Sequence, residues 1–493
     1  MQSGVRSREE RRFKVVTYGC QMNVHDSEKL SNLLYHAGLA EAEDSDGADL
    51  LVINTCSIRD KAESRLYSDL GRLGGWKHGR PGRVLGVGGC VAQQQGDSLL
   101  ARFPQLDFVF GTHNLKWVPA MVEAALEGER SARTAETSSS GRFDLPDRHP
   151  GYAGGSPGRA FVTVMEGCDM FCSFCIVPKT RGREISRPAA SILEEARRLA
   201  DDGIRQITLL GQTVNAYGRH DVRRGRADAN GTLAFPELLA RLDAIPGLER
   251  IHYTSPHPLF FDDDLVRAHG ELASLCPHVH LPLQSGATAV LDKMNRRYTR
   301  EEFLALPGRL RACRPDIAIT SDIIVGFPGE TRSDFDQTLS AVAEAGFVDS
   351  YSFKYSPRPG TAALTLEAEV PADEAQERLV RLQQLQRGLT LGYHRSRVGT
   401  RTRILVEGAS RKGGEQLRGR DPYHRVVNVA AQAVPGDLLE VEIVEATPHS
   451  LIGVPVVQVG SSAGSFGLKQ KAPIAEENRR GALPEPGDPL RVV

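Results

Sequence analysis

No apolar run in this chain is long enough to span a bilayer, which excludes a helical membrane protein. The opening stretch MQSGVRSREERRFKVV carries charge where a secretory signal needs an apolar segment, so a cytoplasmic protein with no membrane partner is expected. Charge of one sign is missing too: 61 Lys and Arg stand against 62 Asp and Glu. Any basic surface that meets nucleic acid must therefore be local. Cysteine is scarce, with eight in 493 residues. That is far too few for a disulfide scaffold, and in a reducing compartment it suits metal or redox chemistry. What remains is a 40% hydrophobic composition of ordinary globular type, too long for a single core and so divided into domains.

Three of the cysteines crowd into VMEGCDMFCSFCIVPKT, as Cys168, Cys172 and Cys175. Structural zinc sites and cubane iron–sulfur clusters ask for four protein ligands, and a missing fourth leaves an open position for something that reacts. Zinc fits poorly, because the nearest downstream histidine, His220, stands in a polar loop at no finger or ribbon spacing. Three thiolates with one free iron fit better.

Along the chain, residues 1–12 form a charged arm. Residues 13–128 alternate short apolar runs with helical stretches, which argues an open parallel α/β domain. Residues 129–153 turn rich in Ser, Gly, Pro and Arg and read as a linker or covering loop. Residues 154–392 hold six more strand-like runs with helical segments between them, which predicts a partial (β/α)6 barrel. Residues 393–461 are all β, with turn signals at EGASRKGGEQ and VPGD, and read as a small β-barrel. Residues 462–493 have the composition of a disordered tail.

In the first domain the runs FKVVTYGC, ADLLVINTC and GRVLGVGGC each end in a cysteine: Cys20, Cys56 and Cys90. Ligands collect at the carboxyl ends of strands in an open parallel sheet, so these three side chains can converge although far apart in sequence. Any one alone would read as a small buried hydrophobe. The glycines in YGC and GGC are expected to leave the backbone open to a bulky inorganic guest. Two sets of three thus absorb six of the eight cysteines. Cys276 and Cys313 have no partners at ligand spacing and are expected to be buried.

CDMFCSFC, as Cys-x3-Cys-x2-Cys after the first barrel strand, resembles the signature of radical S-adenosylmethionine (SAM) enzymes. The resemblance implies a [4Fe–4S] cluster on Cys168, Cys172 and Cys175 whose fourth position is taken by SAM. It also implies that Phe174 borders the adenine and that the cofactor is split to a 5′-deoxyadenosyl radical. GCQMNVHDSE, NTCSIRDKAESR and GGCVAQ add a resemblance to the methylthiotransferases over nearly the whole chain. That implies a second [4Fe–4S] cluster on Cys20, Cys56 and Cys90 carrying the sulfur to be transferred, and a C-terminal RNA-binding TRAM barrel. GCQMN, NTCSIR and MEGCDMFCSFCIVPKTRGREISRP are similar to the branch that modifies isopentenylated adenosine at carbon 2 in transfer RNA. The alternatives are sister branches acting on threonylcarbamoyladenosine or a ribosomal protein, and, in a different class, a non-enzymatic cluster protein that binds RNA or senses redox state.

The resemblance places SAM contacts at Gln212 and Asn215 in LLGQTVNAYG, where the usual acidic residue is absent. It places others at Gln284 and Ser285 in HLPLQSG, facing the same cavity, and in SDIIVGFPGET. There Asp322 would meet the ribose and Gly326 would allow close backbone approach. His252, His257, His278 and His280 read as packing or hydrogen-bonding residues, with His278 and His280 on one face of a strand. Between Arg395 and Arg425 stand nine Lys or Arg against three acids. From that stripe Arg401, Arg403, Arg418 and Arg420 are expected to grip the RNA backbone, while an anticodon loop splays its unpaired bases into the barrel mouth. The loop GRHDVRRGRADANG, Gly218 to Gly231, is the other basic candidate. A monomer served by a reductant protein such as flavodoxin or ferredoxin completes the expectation.

Overall fold

The computed structural model describes residues 10–57, 60–137, 140–150, 152, 155–225, 231–410 and 416–456. The expected tail at 462–493 and most of the charged arm lie outside the described residues.

The first domain is a six-stranded parallel sheet. Its strands are β1 (Arg12–Tyr18), β2 (Ala40–Glu41), β3 (Leu50–Thr55), β4 (Val84–Gly89), β5 (Phe108–Phe110) and β6 (Ser131–Arg133), in the order β2-β1-β3-β4-β5-β6. The helices are α1 (Gln21–His36), α2 (Asp60–Gly79), α3 (Cys90–Gln95), α4 (Asp97–Arg102) and α5 (Val118–Leu126). β3 and β4 are buried at every position, as a central strand covered on both faces must be. Successive residues feed opposite cores: Leu51 and Ile53 pack with Leu66, Leu70 and Val87, whereas Leu50 and Val52 pack with Leu30, Leu34 and Phe108. β6 falls within residues 129–153, so the first five residues of the expected linker belong at least in part to the sheet. Its Ser-Ala-Arg sequence hides the strand because an edge position is only half covered.

The second domain has six parallel strands, β7 (Arg159–Thr163), β10 (Gln206–Leu210), β11 (Arg250–Tyr253), β12 (His278–His280), β13 (Ala318–Val325) and β14 (Asp349–Lys354). They pair as β7-β10-β11 and β12-β13-β14. Ile251 hydrogen-bonds to Ser274 and Cys276 and joins the two halves. The short strands β8 (Met165–Glu166) and β9 (Ile185–Ser186) frame the cysteine loop. Around the barrel lie α6 (Val177–Thr180), α7 (Ala189–Asp201), α8 (Arg219–Arg223), α9 (Phe235–Asp243), α10 (Asp263–Glu271), α11 (Thr288–Lys293), α12 (Arg300–Cys313), α13 (Arg332–Ala345) and α14 (Ala372–Ser396). Thr299 with Glu302, and Thr331 with Asp334, form complete capping boxes at the starts of α12 and α13.

Strands β15 (Arg401–Ala409), β16 (Gln416–Arg420), β17 (Val426–Ala430), β18 (Leu438–Ala446) and β19 (Leu451–Pro455) close a five-stranded barrel in the order β15-β16-β17-β19-β18. Ile404, Val427, Val429, Val441, Ile443 and Leu451 fill it. This small barrel docks on the amino-terminal ends of the larger barrel's strands. Arg159, which opens β7, pairs with Glu407. Arg250, which opens β11, donates to the carbonyls of Arg420 and Arg403. Asp349, which opens β14, receives Arg425. The opposite, carboxyl-terminal face carries Cys168, Cys172 and Cys175.

Candidate functional site: two three-cysteine centres

The register of the first sheet levels three strand ends. Tyr18 pairs with Thr55 and Thr55 with Gly89, so Cys56 and Cys90 leave their strands side by side. Cys20 follows one residue later, after Gly19. Gly19 takes φ 135° and Gly89 takes φ 95°, both in the left-handed half of backbone space that glycine tolerates. A Cβ on Gly19 would stand 2.3 Å from Cys56 Cβ, and one on Gly89 2.3 Å from the Thr55 carbonyl. The room these glycines leave is filled by the neighbouring strand end rather than by an inorganic guest, which corrects the expectation for them. Their service is to let the three loops touch.

The three sulfurs converge through Cys56. Hydrogen bonding from Cys56 brings the Cys20 thiol down to about 6 against the upward push of burial. It lowers Cys90 as well, while Cys56 itself is raised by its bonds to both neighbours. Cys20 also donates to Asn23 Oδ1 at 3.2 Å. The buried Arg181, ion-paired with Asp26 of α1, adds positive charge beside Cys20 and Cys90.

The second triad lies on the loop after β8. Cys168 Sγ is 3.0 Å from Thr213 Oγ1, and Arg296 donates to Cys172 Sγ at 3.3 Å. Burial raises Cys168 and pushes Cys175 up to about 12, with its sister cysteines adding to the latter. Cys168 and Cys175, whose proton loss burial opposes, and the buried Cys172 form a soft donor set that would suit a cationic iron cluster. α6, which begins just after Cys175, packs on α3, which begins at Cys90. Thr112 donates across the seam to the Thr180 carbonyl. The helix after the second triad thus packs on the helix that begins at Cys90, at the junction of the two domains.

Orphaned polar atoms surround the second triad. Gln212 accepts from Gly167 N, but its Nε2 is buried without a partner among the described residues. Asp322 Oδ1 is in the same state, while its Oδ2 lies 3.2 Å from His280 Nε2. A polar ligand at the barrel mouth would satisfy both. Phe174 packs with Phe327, Val290 and Met294 and also against the cysteine loop, and so borders this space. Gln284 joins the end of β12 to β13 through its backbone, at φ 69°.

Other expected contacts fall elsewhere. Both ends of the Asn215 amide are taken by the His257 backbone, so Asn215 positions a loop. Ser285 is fully buried and turns toward Thr338 on α13, away from the lumen. A Cβ at Gly326 would stand 2.8 Å from Ala375 Cβ, so the close approach there is to α14. Cys276 is buried, but Cys313 is exposed because it ends α12. His278 and His280 share Thr320 Oγ1, at 3.2 and 3.0 Å. His252, His278 and His424 pack ring against ring at the junction of the two barrels.

Of the described members of the basic stripe, Arg397, Arg418, Arg420 and Arg425 are taken up in ion pairs, while Arg411 and Lys412 lie outside the described residues. Arg418 and Arg420 both pair with Glu407, which is 4% exposed, and Arg420 is itself buried. They do not form an open surface, because the small barrel needs them to bind Arg159's partner. Arg401 and Arg403 stay exposed, in ion pairs with Glu442 and Glu249. Residues 226–230 of the basic loop lie outside the described residues. Sequence reasoning missed Thr213, Arg296, Arg181 and Asp26 as neighbours of the sulfurs; Thr213, Arg181 and Asp26 at least lie inside the quoted motifs, whereas Arg296 lies outside all of them.

Three family models match: "Uncharacterized protein family UPF0004" over residues 12–111, "Radical SAM superfamily" over 162–342 and "TRAM domain" over 395–456. A tRNA-2-methylthio-N(6)-dimethylallyladenosine synthase of Geobacter metallireducens is 48% identical over 445 residues, covering 90% of this chain and 98% of the relative. Synthases of the same name from Geotalea uraniireducens and Streptomyces griseus are 48% and 42% identical, covering 90% and 99% of this chain and 98% and 96% of the relatives. Among solved structures, the radical SAM methyltransferase TsrM of Kitasatospora setae is 17% identical with a TM-score of 0.48, covering 72% of this chain and 77% of that one. At 42 to 48% identity over nearly their full length, these relatives show that the chain belongs to the tRNA-2-methylthio-N(6)-dimethylallyladenosine synthase family.

Proposed function

We propose that the chain places a methylthio group on carbon 2 of N6-dimethylallyladenosine beside the anticodon of a transfer RNA. The observation that carries this is the pair of three-thiol centres, on separate domains, with the helix after one packed on the helix that begins at the other. A structural site would be closed by a fourth ligand, and two open ones in one chain suit a reaction that needs both a cofactor and a second sulfur. Cys168, Cys172 and Cys175 would hold one [4Fe–4S] cluster, and Cys20, Cys56 and Cys90 the other. When bound, SAM and the clusters supply one-electron chemistry and the transferred sulfur, which side chains cannot provide for an unactivated ring carbon.

The chain's own residues do the holding. Arg296 and Thr213 hold the Cys168, Cys172 and Cys175 set, while Arg181 and Asp26 tie the Cys20, Cys56 and Cys90 set to it. Gln212 and Asp322 offer the cofactor one buried donor and one buried acceptor, and Phe174 offers it an apolar edge. Arg401 and Arg403 are left to meet phosphate from the small barrel. A monomer with an external one-electron donor such as flavodoxin or ferredoxin suffices for this reading.

Anaerobic reconstitution with iron and sulfide, followed by Mössbauer spectroscopy, should count two [4Fe–4S] clusters. Cys172→Ala should lose one of them and all production of 5′-deoxyadenosine. The Cys20, Cys56 and Cys90 triple alanine variant should lose the other, keep some 5′-deoxyadenosine formation and make no carbon–sulfur bond. Methylthiolated RNA from that triple variant would refute the assignment of the Cys20, Cys56 and Cys90 centre.

A further inference from the structure

The loop that carries the second triad ends in solvent with a ring on its crest. Phe171 sits between Cys168 and Cys172 at φ 49° and is 46% exposed. Asn295, itself at φ 55°, holds it there by donating to the Phe171 carbonyl at 2.9 Å. Of the seven non-glycine residues with positive φ among those described, five (Phe171, Ser255, Gln284, Asn295 and Arg297) lie on loops around this mouth. Strain of this kind gathers where a binding surface is pre-formed. The Arg183 guanidinium stands 5.3 Å from the Phe171 ring centroid. Phe260 packs against the same cysteine loop, and Arg219 stands 4.8 Å from its ring. Asp169 ties the pieces together: it receives Arg183 at 2.6 and 3.1 Å and lies 3.7 Å from His220 of α8.

Two aromatic faces, each rimmed by a guanidinium, are what unpaired nucleotides stack on and what their phosphates follow. A folded protein partner would ask instead for a broad apolar patch with few charges at its centre. We propose that this lip is the nucleotide platform of the enzyme: Phe171 and Phe260 take bases flanking the reacting adenosine, and Arg183 and Arg219 take their phosphates. The proposal rests on the reading of RNA as substrate. Burial pushes the Glu184 carboxyl up to about 8, with Asp169 and Asp221 adding to it, so this acid is mostly uncharged at neutral pH. The small barrel, by contrast, has committed Arg418 and Arg420 to the far end of the molecule.

The test uses the reconstituted full chain and an anticodon stem-loop carrying N6-dimethylallyladenosine, titrated at several salt concentrations. Phe171→Ala should bind about tenfold more weakly with an unchanged salt slope. The Arg183→Ala, Arg219→Ala double variant should flatten the log–log slope by about 0.7 per arginine. Iron content checks that each variant is loaded; if Phe171→Ala fails that check, the double variant, outside the cysteine loop, decides. Wild-type affinity and slope in the double variant overturn the platform, even where the unaltered enzyme converts the RNA normally. If the unaltered enzyme binds the stem-loop through these arginines yet never methylthiolates it, the platform stands and the reading of function falls.

Discussion

A single hydrogen bond links the charge of the chain to its chemistry, from Arg296 to Cys172 Sγ. A buried cation favours whichever state of a bound cluster carries more negative charge, so Arg296 raises the reduction potential. A hydrogen bond to a charged group is worth about 1.5–3 kcal/mol; only the part that differs between the two oxidation states moves the potential, so Arg296→Met should shift the midpoint to the negative by on the order of tens of mV. An EPR-monitored redox titration reads this directly, and an unmoved midpoint would show that the arginine only packs. The grouping of six cysteines into two sets was legible because their spacing and strand-end positions are properties of the chain. Arg296 was not, since nothing local says that a residue after α11 returns to the loop between β8 and α6. Asn215, Ser285 and Gly326 were misread for a related reason: sequence gives the end of a strand but not which way a loop side chain turns.

At the scale of elements, the first centre depends on the levelled ends of β1, β3 and β4. Gly89→Ala would put a Cβ into the Thr55 carbonyl at a φ of 95°. With ψ at −160° Gly89 occupies a region open essentially only to glycine; the strain there costs about 1–3 kcal/mol, and the backbone contact adds to it. On the proposed two-cluster reading the variant should lose roughly half of its reconstituted iron while keeping 5′-deoxyadenosine formation, because Cys168, Cys172 and Cys175 lie on a loop of the other domain; iron assay and product analysis check both halves. The alternation of apolar runs and helices foretold this sheet and the six-stranded barrel. β6 escaped because an edge strand three residues long carries no apolar signature.

At the scale of the molecule, the two barrels meet over three packed imidazoles, with His278 stacked on His424 and His252 edge-on to both. Burial holds all three below the ordinary histidine value, His252 down to about 3, and the nearby Arg250, Arg420 and Arg425 push the same way. The unfolded chain therefore binds protons first as pH falls through about 6.5. Stability is at its full value above that pH and declines below it, with the His252 contribution running down toward pH 3. Thermal midpoints should fall steadily from pH 7 to pH 5, and His424→Gln should flatten that dependence. An identical pH profile in the variant would show that other groups control it. No sequence pattern announced this junction, because its partners come from strand starts far apart in the chain.

Glu407 shows what that docking means for the integrity of the gene product. One carboxylate serves Arg159 of the large barrel together with Arg418 and Arg420 of the small one. A chain ended before residue 398 would leave Arg159 and Asp349 without their carboxyl-terminal partners and Arg250 without two carbonyls. The C-terminal module is a foundation on which the reactive domains stand, and it cannot be removed to make a minimal enzyme or exchanged for another RNA-binding appendage without rebuilding the floor beneath it.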